Sequence, residues 1–154
     1  MQLSEFLDFD AIKPSLSGGN KRALLQQMAQ FAAGRHHVDA AEILSSISER
    51  ERLGSTGFGQ GVAIPHGKIE GLARIYCMFA RLSEPVDYKA IDGQPVDLVF
   101  LLLSPPDAGA EHLKALAAIS RVTRHAPTLE KMRGARSRDA LAAVLMGADE
   151  RDAA

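Results

Sequence analysis

A single α/β domain built on a mixed β-sheet is the fold class this sequence predicts, on three observations. The chain has 154 residues, 46% of them apolar and 24% charged, which suits one soluble domain with its own core. Apolar runs of strand length fall at residues 62–64, 74–82 and 96–103. Segments of helical periodicity lie before, between and after them, so strands and helices interleave along the chain. The domain is expected over residues 1–147, with a frayed tail at 148–154.

Taken in order, residues 2–9 predict one or two amphipathic turns, and Ile12 to Leu16 a short extended piece ended by Ser17-Gly18-Gly19. From Asn20, an N-cap residue, Leu24, Leu25, Met28, Ala29, Phe31 and Ala32 recur at helical spacing, with Gly34 as the expected stop. Asp39 followed by Glu42 resembles a capping box and opens a second helix, with Ile43, Leu44 and Ile47 inward and Gly54 past its end. Arg50 lies seven positions after Ile43 and three after Ile47, so it continues the apolar stripe and is expected to face the fold beside an anion or carboxylate.

Residues 50–68, R-E-R-L-G-S-T-G-F-G-Q-G-V-A-I-P-H-G-K, carry five glycines (Gly54, Gly57, Gly59, Gly61, Gly67) and the only Pro-His step. Val62-Ala63-Ile64 reads as a short strand delivering His66, with the glycines before it as a loop whose N–H groups can approach a ligand. Arg74 to Leu82 is a second strand and Val96 to Leu103 a third, apolar enough to be buried on both faces, with an Asp92-Gly93 turn between them. A helix is expected from Ala110 to about His125, before Pro127, and two shorter ones at Leu129–Arg133 and Ser137–Met146.

Net charge is -1, from 18 Lys+Arg against 19 Asp+Glu, so no nucleic-acid surface or polybasic membrane patch is predicted. Cys77 is the only cysteine, which rules out an intramolecular disulfide and any C-x-x-C site; within an apolar strand it reads as core. The N-terminus is acidic instead of basic then apolar, and no run approaches the ~18 apolar residues of a membrane span, so a cytoplasmic location without membrane insertion is expected.

His66 is the leading candidate for chemistry. A loop histidine is commonly a surface or capping residue, but this one has a glycine-rich segment, an inward arginine and a second histidine nearby in the pattern. That second histidine, His112, opens the helix with Leu116 and Ile119 at i+4 and i+7, at the edge of the packed face, where the helix dipole disfavours its protonation. Its structural reading is a half-buried helix-start histidine. The nucleotide motif G-x-x-x-x-G-K-[ST] is absent, and Gly57-x-Gly59-x-Gly61 misses G-x-G-x-x-G, so no nucleotide or other cofactor is expected. His36, His37, His66, His112, His125 and Cys77 have no recognised metal-ligand spacing, and no metal is expected; Ser55, Ser104 and Ser120 lack a nucleophile-elbow context. His36-His37 and His125 read as solvated helix ends. What remains is a neutral histidine attacking phosphorus, its other ring N–H held by a carbonyl or carboxylate, with Arg50, His112 and glycine-loop amides stabilising the charge.

The segment from Arg50 to Lys68 resembles the signature around the phosphorylated histidine of the IIA proteins of the bacterial phosphoenolpyruvate-dependent phosphotransferase system, mannitol/fructose class. Its G-S-T-G-x-G-x-G-V-A-I-P-H-G-K wording is nearest the nitrogen-regulatory branch. The resemblance implies a mixed sheet with helices packed on both faces. It implies that His66 is phosphorylated by an HPr-like histidine phosphocarrier, with His112, in E-H-L-K-A-L, and Arg50 as the accompanying active-site pair. It also implies regulatory targets such as a sensor kinase or a potassium transporter. Arg52 stands where Lys is usual, and Phe58 and Gln60 occupy variable positions, which bear on partner choice and leave the chemistry alone. Phe58, with Gly59 and Gly67 beside the site, is the expected partner contact. The alternatives are a sugar-specific IIA component serving a IIB transport partner and a binding module whose histidines are structural.

Overall fold

Nine consecutive buried or near-buried residues, Val96–Ser104, form the strand on which the molecule is built. The structure, a computed structural model, describes residues 1–153. Its strands are β1 (Leu7–Leu16), β2 (Gly57–Gly59), β3 (Val62–Ala63), β4 (His66–Lys68), β5 (Tyr76–Val86) and β6 (Val96–Ser104). Its helices are α1 (Lys21–His36), α2 (Ala40–Arg52), α3 (Gly109–Thr123), α4 (Ala126–Gly134) and α5 (Arg138–Ala153), after a short 3₁₀ turn at Leu3–Glu5. The sheet runs β1-β5-β6-β3-β2, with β4 also paired to β6. β6 is antiparallel to β5 and parallel to β3 and β4, so the sheet is mixed.

Side chains alternate across a strand, and β6 divides its own between two cores. Leu98, Phe100 and Leu102 pack with Ala115, Ile119, Met132 and Leu141 of α3, α4 and α5. Val99, Leu101 and Leu103 pack with Leu24, Met28, Ile43 and Ile47 of α1 and α2. Helices therefore cover both faces, and the strand's unbroken apolar run is what a doubly covered position demands.

Several elements differ from the sequence expectation. β1 begins at Leu7, taking in residues read as amphipathic turns. It is an edge strand, so its charges can be held outside: Arg35 makes paired bonds to Asp8 at 2.9 and 3.0 Å. Pro14 is tolerated for the same reason. Helix α1 passes through Gly34 and stops at His37, whose left-handed backbone (φ 55) ends it. Asn20 caps its start through Ala23 N–H, as expected. Pro127 lies in the first turn of α4, where a missing N–H costs nothing, so the helix starts before it. Helix α5 runs to Ala153, through most of the stretch expected as a tail, residue 154 lying outside the described residues, and the Asp149 carboxylate accepts from the N–H groups of Leu3 and Ser4 at 3.0 and 2.7 Å.

Candidate active site

His66 is placed by register. It pairs with Leu102 in the parallel β4–β6 ladder, and Leu102 N–H donates to Pro65 O at 3.0 Å, so the chain is fastened on both sides of the proline. Val62, Ile64 and His66 share parity, and the first two pack in the core under α3. His66 therefore faces α3, which contributes His112. Gly67 faces the other way, towards α2. A Cβ there would collide with Ser46 Oγ and stand 3.2 Å from Ser46 Cβ, so glycine is what allows α2 to lie close to β4. One turn further along α2 is Arg50.

The three residues expected to act together do meet. Arg50, His66, Gly67 and His112 line one open concavity of ≈630 Å³ with Ser46, Lys68 and Leu53. The His66 and His112 rings are 5.5 Å apart, inclined at 50°. His66 Nδ1 lies 2.7 Å from Ile64 O. A carbonyl only accepts, so Nδ1 carries the proton and Nε2 keeps its lone pair. Burial, chiefly, lowers the His66 pKa from 6.5; the Ile64 carbonyl opposes this and the Arg50 guanidinium reinforces it. His112 is pushed down to about 4, first by burial, then by His66 and Lys68. Both rings are neutral at pH 7.

Details depart from expectation. His112 stands squarely on the buried face of α3 with Ala115, Ile119 and Val122, and burial is the main depressor of its pKa. Arg50 is half-buried, but its partner is a carbonyl, Gly54 O at 2.8 Å, and not a carboxylate. The neighbouring Glu51 instead takes Lys21 Nζ at 2.9 Å and the N–H and hydroxyl of Thr56, pinning the start of the glycine segment.

That segment is no open loop. Gly57–Gly59 is a strand paired antiparallel to Val62–Ala63, and the tip is held by Arg133, which bonds Gln60 O and Asp97 together. Its glycines, Gly67 apart, do not line the histidine concavity, so the amides of Gly57, Gly59 and Gly61 are not the cradle expected of them. Phe58 is 51% exposed, and with Gly59 it lines a second, smaller concavity beside Ser120 and Arg124. His36 is half-buried and not a free helix end: it packs edge-on to Tyr76 with centroids 4.2 Å apart. His125 Nδ1 bonds Thr128 Oγ1 at 2.7 Å. Cys77 is core, fully buried.

Sequence alone gives Lys68 no role and weighs Ser104 only as a nucleophile, without the context for one. Lys68 sits at the rim, two residues beyond His66 on the same strand, a spacing that was legible. Ser104 Oγ lies 2.6 Å from His112 Nδ1, a pairing that only the β6–α3 approach reveals.

A neutral imidazole nitrogen with a free lone pair, a second imidazole and a guanidinium thus surround one cavity, an arrangement suited to group transfer to histidine. The chain is 44% identical over 145 residues to a nitrogen regulatory protein of Bradyrhizobium diazoefficiens, covering 94% of this chain and 95% of that one. The crystal structure of the nitrogen regulatory protein IIA-Ntr from Neisseria meningitidis superposes with a TM-score of 0.87 at 34% identity, covering 93% and 98% of the two chains. A fructose-specific EIIA component of Haloferax volcanii is 33% identical over 126 residues, covering 81% and 82%. The family described as "Phosphoenolpyruvate-dependent sugar phosphotransferase system, EIIA 2" matches residues 5–147, and the chain belongs to it.

Proposed function

We propose that this protein is a phosphocarrier of the nitrogen-regulatory phosphotransferase system, accepting a phosphoryl group on His66 from an HPr-like histidine phosphocarrier and regulating partners by its phosphorylation state. The observation that carries the reading is the Ile64 carbonyl on His66 Nδ1, which leaves Nε2 as the nucleophile within a cavity shared with Arg50 and His112. In the step proposed, the Nε2 lone pair attacks phosphorus in line. The P–N bond to the carrier's imidazole breaks, and that imidazole leaves with the bonding pair and takes up a proton from solvent, the His66 Nδ1 proton staying in place. Arg50 and the Lys68 ammonium offset charge on the three phosphoryl oxygens, and the neutral His112 ring hydrogen-bonds to one of them. The His66 Nδ1 proton, shared with the carbonyl, stabilises the phosphoimidazole.

The modified ring adds a charge of about -1.5 to -2 at the cavity mouth. That change is the signal a regulated partner, such as a sensor kinase or a potassium transporter, would read. Exposed Leu53 and Phe58 supply apolar contact for visiting proteins. A cytoplasmic location, beside the HPr-like carrier, is part of this proposal. Among the described residues no helix is long and apolar enough to cross a membrane.

Incubation with the upstream carriers followed by mass spectrometry under non-acidic conditions is expected to find phosphate on His66 and none in His66→Ala. Unmodified wild-type protein would end the proposal, and would favour a binding module with structural histidines. The likeness to a fructose-specific EIIA component supports a second reading, a sugar-specific IIA. Transfer onward to a IIB partner selects that reading; phosphorylation-dependent partner capture without transfer selects regulation.

A further inference from the structure

We propose that Ser104 is a positioning residue for the transfer reaction, its hydroxyl donating to His112 Nδ1 and so holding His112 as the tautomer whose proton sits on Nε2. This rests on the reading of His112 as a hydrogen-bond donor to the transferred group.

Ser104 is the last residue of β6. It shares parity with Leu98, Phe100 and Leu102, which face α3, and it is fully buried. Its Oγ lies 2.6 Å from His112 Nδ1. Distance alone allows two polarities. If Nδ1 carried the proton and donated to Oγ, the serine hydrogen would need another acceptor. Among the described residues Oγ has no other hydrogen-bond partner, and the side chain is closed to solvent. A buried hydroxyl hydrogen without an acceptor is costly, whereas donation from Ser104 to a bare Nδ1 satisfies both atoms. The proton of the neutral ring is then on Nε2.

The consequence is a matched pair. A free neutral imidazole exchanges between two tautomers, and only one of them can donate through Nε2. With the lone pair on Nε2, His112 would face a phosphoryl oxygen with negative density and repel it. At His66 the partner is a carbonyl, which accepts and forces the proton onto Nδ1. At His112 the partner is a hydroxyl with nowhere else to donate, which forces the proton off Nδ1. Two chemically identical rings 5.5 Å apart are thus given opposite roles, nucleophile and donor, by what stands behind them. The depressed basicity of His112 keeps it neutral, and the tautomer therefore defined, across the working pH range.

Long-range proton–nitrogen NMR correlation on the ¹⁵N-labelled full chain reads the tautomers directly. Wild type is expected to show His112 protonated at Nε2 and His66 at Nδ1. In Ser104→Ala, His112 is expected to populate both tautomers and phosphoryl transfer from the carrier to slow roughly tenfold, the weight of one ordinary hydrogen bond. Ser104→Thr, which keeps the hydroxyl, is expected to restore the tautomer and bring transfer to within about threefold of wild type. A His112 proton on Nδ1 in wild type, or a Ser104→Ala protein with unchanged transfer, overturns the proposal. Wild-type transfer by His112→Ala would instead remove the role given to His112. The two failures are distinguishable because the tautomer is measured without any transfer.

Discussion

Acid should destabilise this fold through His112, and the size of the effect follows from its surroundings. The ring is 9% exposed, and its pKa falls from 6.5 to about 4, chiefly through burial. The unfolded chain binds a proton near pH 6.5 and the folded one only near 4, so in that window the unfolded state holds more protons and stability falls as pH falls. Each pH unit across it costs about 1.4 kcal/mol, roughly 3 kcal/mol in all. That is a large fraction of the ~5–15 kcal/mol of a typical domain. His66 and His36, also depressed by burial, add in the same direction. The perturbation is His112→Asn, whose Oδ1 stands close to the position of Nδ1 and keeps Ser104 partnered. Urea unfolding at pH 7.5 and pH 4.5 should show wild type losing more stability than the variant, by roughly 2 kcal/mol at the lower pH. Equal losses in the two proteins would refute the reasoning, because His112 would then titrate alike folded and unfolded.

Arg50→Ala is expected to slow phosphoryl transfer on the order of 10²-fold, as loss of a preorganised charge stabiliser does, with little change in the unfolding midpoint; a rate within about threefold of wild type contradicts its role. The half-point of the acid limb of transfer should fall below pH 6.5, the ordinary imidazole value, since protonation of the depressed His66 removes its lone pair; a half-point at or above 6.5, with the carrier's own profile divided out, speaks against a burial-lowered nucleophile. Gly67→Ala should cost roughly 1–3 kcal/mol in denaturant unfolding because its methyl meets Ser46. Adding Ser46→Ala should recover part of that loss, and strict additivity would argue against the contact.

The central strand was readable because burial on both faces leaves an unbroken apolar run, and residues 96–103 have one. His66, Arg50 and His112 were readable as types in a pattern, and their convergence follows from strand register and helix phase. Other features depend on partners distant in sequence. Asp8 and Asp10 disguise β1, and only Arg35 and Arg138, on helices elsewhere in the chain, explain why a strand tolerates them. Gly34 has open space around it and a helix on both sides, so local propensity lost to the packing of α1. The glycine hairpin was misread as a ligand-cradling loop because its composition suits either; Arg133, more than seventy residues away, decides the matter by holding Gln60 O. The Asp149 anchor was invisible for the same reason, since its acceptors' donors lie at the opposite end of the chain.

The division of β6 between two cores bears on how the site endures. Opening either layer of helices strips half of the same strand, so its amides should exchange with deuterium only when the whole molecule comes apart, and be the slowest in the protein. His66 is laddered to that strand and His112 is tethered to its final residue. Arg50, by contrast, belongs to the closing turn of α2, next to Leu53, which is 85% exposed. One wall of the cavity is thus anchored to the most persistent part of the molecule, while the other can yield when a second protein presses against it.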